Sequence, residues 1–229
     1  MNAASAPVTP EQRLSGTSLR AISALVLALP TLLAVYFGPP WFTAMVLIAA
    51  AAMGWEWARM CGGDAKWLIA GALYIAIPSG ALIWLRGEST PGMITIFWLF
   101  AVVWSADIAA YLSGRSIGGP KLAPSISPKK TWAGFIGGVT CATVVAGAFA
   151  LYWDESPLSL ALWGAVVAIA SQAGDLLESG VKRRFGVKDS SALIPGHGGV
   201  LDRVDALVAG AVAMALLKYT LGRSVMPWL

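Results

Sequence analysis

Seven stretches of this 229-residue chain are long, apolar and almost free of charge: roughly 20–37, 41–58, 67–85, 92–113, 132–153, 158–179 and 203–222. A helix needs about 20 apolar residues to cross the hydrocarbon of a bilayer. In lipid, a helix is one of the few structures that satisfies its own backbone hydrogen bonds. The pattern therefore predicts an all-α fold, a polytopic transmembrane helix bundle of about seven spans, with six to eight compatible with it. Pro78 and Gly80 in the third stretch predict a kink, or two short pieces. Only 12% of the residues are charged, where a soluble domain carries about 25%. No internal repeat is visible.

The charges that do occur are unevenly placed. With seven spans, one side of the membrane holds the N-terminus and the connections near 59–66, 114–131 and 180–203. That side carries 13 of the 16 Lys and Arg: Arg13, Arg20, Arg59, Lys66, Arg115, Lys121, Lys129, Lys130, Lys182, Arg183, Arg184, Lys188 and Arg203. The opposite side has Arg86, Lys218 and Arg223. The excess of basic residues on cytoplasmic loops then puts both long polar loops in the cytoplasm. Met1 to Leu19 is polar without a basic run before a short apolar core, so no cleavable signal peptide is expected. Cys61 and Cys141 suggest neither a disulfide framework nor a zinc site.

The expected organisation is a polar cytoplasmic segment over 1–19, an N-terminal transmembrane region over 20–90 and a catalytic region over 91–229 with loops 114–131 and 180–203. Carboxylates at membrane depth are costly and call for a role. Asp175 and Glu178 share a helix face, Ser179 lies four residues from Asp175, and Asp202 and Asp205 share a face on the next helix. Facing carboxylates suit a hard cation such as Mg²⁺; the plain alternative is ion pairing with Arg183, Arg184 or Arg203. Asp107 alone fits a transport site, a metal ligand or a partner for Lys121. Glu56 has Arg59 three residues on as a simple partner.

Two loops carry the rest of the chemistry. The first, around Lys121 to Thr131, offers Lys121, Lys129 and Lys130 with the hydroxyls of Ser125, Ser127 and Thr131, and Thr131 is placed to cap the fifth span. Small residues four apart, Ala133 with Gly137 and Gly134 with Gly138, allow close helix contact there. The second contains PGHGG at the start of the next helix, where exposed amides and the helix N-terminus favour an anion. Lysines, arginines, free amides and carboxylates together are the parts used to handle a polyphosphate, while His197 alone reads as a loop hydrogen-bonding residue.

The stretch KRRFGVKDSSALIPGHGGVLDRVD, with the residues just before it, resembles the motif of the phosphatidate cytidylyltransferases, or CDP-diacylglycerol synthases. Ser179, Val181, Lys182, Arg183, Lys188, Asp189, Ser191, Ile194, Pro195, His197, Gly198, Gly199, Asp202, Arg203 and Asp205 fill that motif without a gap. Asp107 to Tyr111, Lys121 to Thr131 and Gly174 to Ser179 are similar to the family as well. Ala133 departs from it, since many members carry Glu there. The resemblance covers roughly 100–210; earlier, it rests on hydrophobicity and the Glu56-Trp57 pair.

The resemblance implies CTP and phosphatidate as substrates, CDP-diacylglycerol and pyrophosphate as products, and Mg²⁺ or another divalent cation as cofactor, with room for a second. It implies Asp175 and Asp202 as main metal ligands, supported by Asp205 and Asp107. Lys121, Lys129, Lys130, Lys182, Arg183, Lys188 and Arg203 would hold the phosphates. Ser127, Thr131, Ser179 and Asp189 would complete substrate binding, and His197, Gly198 and Gly199 would shape the nucleotide pocket. It further implies an integral protein of a bacterial-type inner membrane with its site facing the cytoplasm, a homodimer, and no nucleic-acid partner. Two rivals are weighed against it. A CTP-dependent lipid kinase, or a synthase acting on ether lipids, shares the location and the nucleotide. A transporter would use Asp107, Asp175 and Asp202 as relays, but the missing repeats and the clustering of acids at one edge argue against it.

Overall fold

A computed structural model describes residues 25–87, 89–152, 156–194 and 196–221. The polar segment 1–19, residues 20–24 of the first expected span, the motif residue Pro195 and Arg223 lie outside the described residues. The chain forms α1 (Leu25–Phe37), α2 (Trp41–Cys61), α3 (Ala65–Arg86), α4 (Thr90–Ser116), a hairpin of β1 (Lys121–Ala123) and β2 (Ser127–Thr131), α5 (Trp132–Ala148), a 3₁₀ turn (Phe149–Leu151), α6 (Pro157–Arg184) and α7 (Leu201–Leu221). Six of these segments are long and apolar enough to cross a membrane, and the described part of α1 is shorter. This is the all-α bundle the sequence predicts, and the protein is an integral membrane protein.

The buried centre is α4. Ile96, Trp98, Leu99, Val102 and Ala106 on it are fully shielded, and they pack against Val167 and Ala168 of α6, Met214 of α7 and Ala142 and Ala146 of α5. Large apolar side chains such as Ile48, Ile69, Val144 and Leu158 point outward, where lipid chains lie. Lipid is as apolar as leucine, so close packing rather than water exclusion holds such helices together. The α4–α5 contact shows this: a Cβ added to Gly134 would stand 2.8 Å from the Ala110 carbonyl, and one on Gly138 2.7 Å from that of Ala106. The expected small-residue seam is present, through Gly134, Gly137 and Gly138.

Pro78 does not break its span, since α3 runs unbroken from Ala65 to Arg86 with Pro78 buried inside. A proline costs a helix one amide bond, but breaking the helix in lipid exposes several more, so continuation wins. α6 also runs on to Arg184, which leaves 185–200 rather than 180–203 as the connecting loop. Lys182, Arg183 and Arg184 thus form the last helical turn, where cations meet the negative end of the helix dipole.

The end of the bundle away from these basic residues is closed by Arg86. Its guanidinium donates to the carbonyls of Val35 (2.7 Å), Tyr36 (3.2 Å), Gly87 (3.1 Å) and Ser89 (3.2 Å). It thereby satisfies the last carbonyls of α1 and the α3–α4 turn, groups a helix end leaves open. Gly92 sits directly beneath the Arg86 carbonyl, with no room for a Cβ. Gly92→Ala is expected to destabilise the bundle by about 1–3 kcal/mol through overpacking, read as a lowered melting temperature in detergent. An unchanged melt would show that the α3–α4 turn yields freely.

Candidate active site

Three connections meet at the basic end. The Trp67 ring, at the start of α3, packs edge-on to Phe185 with centroids 5.2 Å apart. The Arg183 side chain donates to the Ile126 carbonyl in the hairpin turn (3.2 Å) and to the Val187 carbonyl (2.9 Å). Segment 114–131 is therefore a folded hairpin laid against the end of α6. Lys121 pairs with Thr131 and Ala123 with Ser127, with an irregularity between them. The Thr131 hydroxyl accepts from the Gly134 amide at 3.1 Å, capping α5 as its position predicts.

Under the hairpin lies a cavity of about 410 Å³ between α4, α5 and α6. Asp107, Tyr111 and Arg115 of α4, Lys129, Lys130 and Thr131 of β2, and Gln172 and Asp175 of α6 line it. Lys130 Nζ forms an ion pair with Asp175 Oδ2, and the Ser179 hydroxyl donates to Asp175 Oδ1 at 3.3 Å. Both charged groups of that pair are about a quarter exposed, so it stays within reach of water. Cations and carboxylates mixed at the mouth of an apolar cavity can hold an anionic head group while its apolar part stays among helices.

A second constellation lies beside the first and is closed to solvent. Lys182 Nζ stands 2.9 Å from Glu178 Oε1 and 2.6 Å from Asp202 Oδ1. Asp202 Oδ2 accepts from the Ser190 amide, the Ser190 hydroxyl and the Gly199 amide, each at 2.9 Å. Glu56, near the C-terminal end of α2, is fully buried and accepts from Ser190, Ser191, Val200 and Leu201. Loop 185–200 is thus held between α2, α6 and α7. Within it Ile194 and Gly198 form a backbone bridge, and a Cβ on Gly199 would meet Ser190 Oγ and the Glu56 carboxylate.

The expected site residues divide between these places. Lys129, Lys130, Thr131, Asp107 and Asp175 come together at the cavity, with Ser179 bonded to Asp175. Lys121 is exposed and Ser127 half-buried on the hairpin, while Arg183, Lys188, Asp189 and Arg203 are exposed around the loop. His197 and Gly198 are half-buried in the loop and Gly199 is buried. Lys182 and Asp202 are engaged with each other. Asp205 lies within electrostatic reach of both Asp175 and Asp107.

A divalent cation can be tested against this donor set. Asp107, Asp175 and Asp205 are oxygen ligands of the kind a hard cation takes, they repel one another, and the neighbouring Glu178 Oε2 is buried without a hydrogen-bond partner among the described residues. The chemistry therefore fits a cation. Among the described residues no three such side chains already stand in ligating geometry, and Asp175 is paired with Lys130. Asp202, with both oxygens occupied by Lys182 and three donors, fits an organising role.

The Cytidylyltransferase family profile matches residues 64–221, which span α3 to α7 and every residue of both constellations except Glu56. The chain belongs to the cytidylyltransferase family. Its relatives include the phosphatidate cytidylyltransferase of Rickettsia bellii (strain RML369-C), 35% identical over 209 residues, covering 88% of this chain and 90% of that protein. The enzyme of the same name from Rickettsia conorii (strain ATCC VR-613 / Malish 7) is 33% identical over 216 residues, 91% and 94% of the two chains. That of Brucella suis biovar 1 (strain 1330) is 52% identical over 158 residues, 66% of this chain. The match spans only 56% of the Brucella protein's length.

Within this member of the cytidylyltransferase family, Glu56 is the site residue that sequence reasoning undervalued. Its nearby Arg59 does not pair with it; the guanidinium lies over the Trp55 ring, 5.4 Å from the centroid. The available signal was the cost of an acid in an apolar helix, which calls for several donors rather than one flexible exposed cation.

Proposed function

We propose that this chain transfers the cytidylyl group of CTP to phosphatidate, giving CDP-diacylglycerol and pyrophosphate, at the cytoplasmic face of a bacterial-type inner membrane. The observation that carries this reading is the Lys129–Lys130–Asp175 cavity, where a charged mouth opens among membrane-spanning helices. It lies in the region shared with relatives that bear the phosphatidate cytidylyltransferase name. The excess of basic residues at this end supports the cytoplasmic orientation.

An oxygen of the lipid phosphate attacks the α-phosphorus of CTP. A new P–O bond forms, the bond to the β-phosphate bridge breaks, and pyrophosphate leaves with that electron pair. Both reactants are anions, so the chain's main tasks are to bring them together and offset their repulsion. Lys129 and Lys130 at the cavity supply positive charge, with Lys121 on the hairpin and Arg183, Lys188 and Arg203 exposed around the 185–200 loop. The loop amides and glycines around His197 give the nucleotide a close backbone approach. Asp175, with Asp107 and Asp205, would hold a divalent cation such as Mg²⁺, which supplies charge neutralisation at the phosphates when bound. No covalent enzyme intermediate is needed.

The test is transfer of label from CTP marked at the α-phosphate into the organic phase by purified protein in detergent. The expected result is lipid label that depends on phosphatidate and disappears with EDTA. A folded, CTP-binding protein that transfers no label would overturn the proposal. Release of CDP instead of pyrophosphate would assign a lipid kinase.

A further inference from the structure

Glu56 stands outside the Ser179–Asp205 motif, on α2, yet among the described residues it is one of the most thoroughly bonded side chains. Each of its carboxylate oxygens takes one hydroxyl and one backbone amide. Oε1 accepts from Ser191 Oγ (2.6 Å) and the Val200 amide (2.9 Å), and Oε2 from Ser190 Oγ (3.2 Å) and the Leu201 amide (2.8 Å). The four donors are the two ends of one stretch of chain. Ser190 and Ser191 open it, Val200 and Leu201 close it, and His197, Gly198 and Gly199 lie between.

We propose that Glu56 is a positioning residue for nucleotide transfer, which clamps both ends of the 190–201 segment onto α2 and so fixes the His197–Gly198–Gly199 backbone that faces CTP. This rests on the cytidylyl-transfer reading above. Two features make the clamp more than a brace. First, the Val200 and Leu201 amides are among the open N–H groups at the start of α7, so the carboxylate both caps that helix and complements its positive end. The helix whose first turn carries Asp202 is therefore oriented by a residue on α2. Second, Ser190 Oγ lies between Glu56 Oε2 and Asp202 Oδ2, at 3.2 and 2.9 Å. A hydroxyl has one proton to donate, so the two carboxylates are linked through it. A change at Glu56 reaches Lys182 through Ser190 and Asp202, without passing through the hairpin or α4.

Glu56→Gln is the decisive substitution. It keeps size and shape, but its amide nitrogen must face either the Val200 or the Leu201 N–H, leaving one donor opposed by another. The full chain is compared with wild type in detergent by two readings. Amide hydrogen exchange should rise over 190–201 and stay unchanged in α4 and α5. The kcat/KM for CTP should fall about 10- to 100-fold, as expected for a displaced binding loop, with the KM for phosphatidate within about two-fold of wild type. Ser191→Ala, which removes one of the four donors, gives the same pattern more weakly and covers the case in which the Gln variant does not fold. Unchanged exchange at 190–201 with wild-type kinetics would sink the clamp. A uniform rise in exchange, with equal loss on both substrates, would make Glu56 a general structural residue instead. Wild-type protein that transfers no cytidylyl group overturns the functional reading and the positioning role with it, whereas local exchange in Glu56→Gln still decides the clamp.

Discussion

Lys182→Met is expected to lower the stability of the bundle by about 3–5 kcal/mol, the usual cost of removing one partner from a buried ion pair. Lys182 is 7% exposed, and it stands between two carboxylates whose side chains are 0% and 4% exposed. Methionine keeps the aliphatic stem and its packing, so the loss isolates the charge. Glu178 is left worst placed, because its Oε2 already lacks a hydrogen-bond partner among the described residues. Asp202 keeps the donors from Ser190 and Gly199. Adding Glu178→Gln to Lys182→Met should therefore recover part of the stability, and a double-mutant cycle on melting in detergent measures the coupling. The experiment separates two roles for Lys182. If its ammonium served only the triphosphate, the variant would melt at the wild-type temperature with a raised KM for CTP, and the structural role would be lost.

That lysine also shows where the sequence could be read and where it could not. The spans were legible because lipid imposes one simple demand, a long apolar helix, and six such helices are present among the described residues. The cap at Thr131 and the seam at Gly134 and Gly138 were legible because both are local. The basic run was placed in a loop on account of its charge, yet Lys182, Arg183 and Arg184 lie on the final turn of α6. Charge marks the membrane boundary, not the end of a helix. The hairpin was read only as an irregular loop, because strands of three and five residues around Pro124 and Pro128 show no clear alternation. Above all, Glu56 meets Ser190 across 134 residues. Periodicity speaks only for neighbours along one element, so a local partner, Arg59, was the natural expectation and the distant ones were invisible.

Asp175→Asn is expected to reduce cytidylyl transfer by about 10²- to 10³-fold, the range for losing one preorganised electrostatic group, while stability changes little. The asparagine keeps the volume and can still accept from Ser179. What it loses is the negative charge facing Lys130, and that pair is partly exposed, so its contribution to stability is at most about 1 kcal/mol. Two explanations of an inactive variant must be separated. Asp175 could act only by aiming Lys130 into the cavity, in which case Lys130→Met would match Asp175→Asn, and the double variant would be no worse than either. If Asp175 instead carries charge for a cation shared with Asp107 and Asp205, Asp175→Asn alone should raise the Mg²⁺ concentration needed for half-maximal rate. Lys130→Met should leave that concentration near wild type and raise the KM for substrate. The second outcome is expected, because Asp205 lies within electrostatic reach of both Asp175 and Asp107, and a hard cation would offset the repulsion among the three carboxylates. Turnover close to wild type in Asp175→Asn, with unchanged metal dependence, would remove Asp175 from the reaction and leave its pair with Lys130 as a tether for the hairpin.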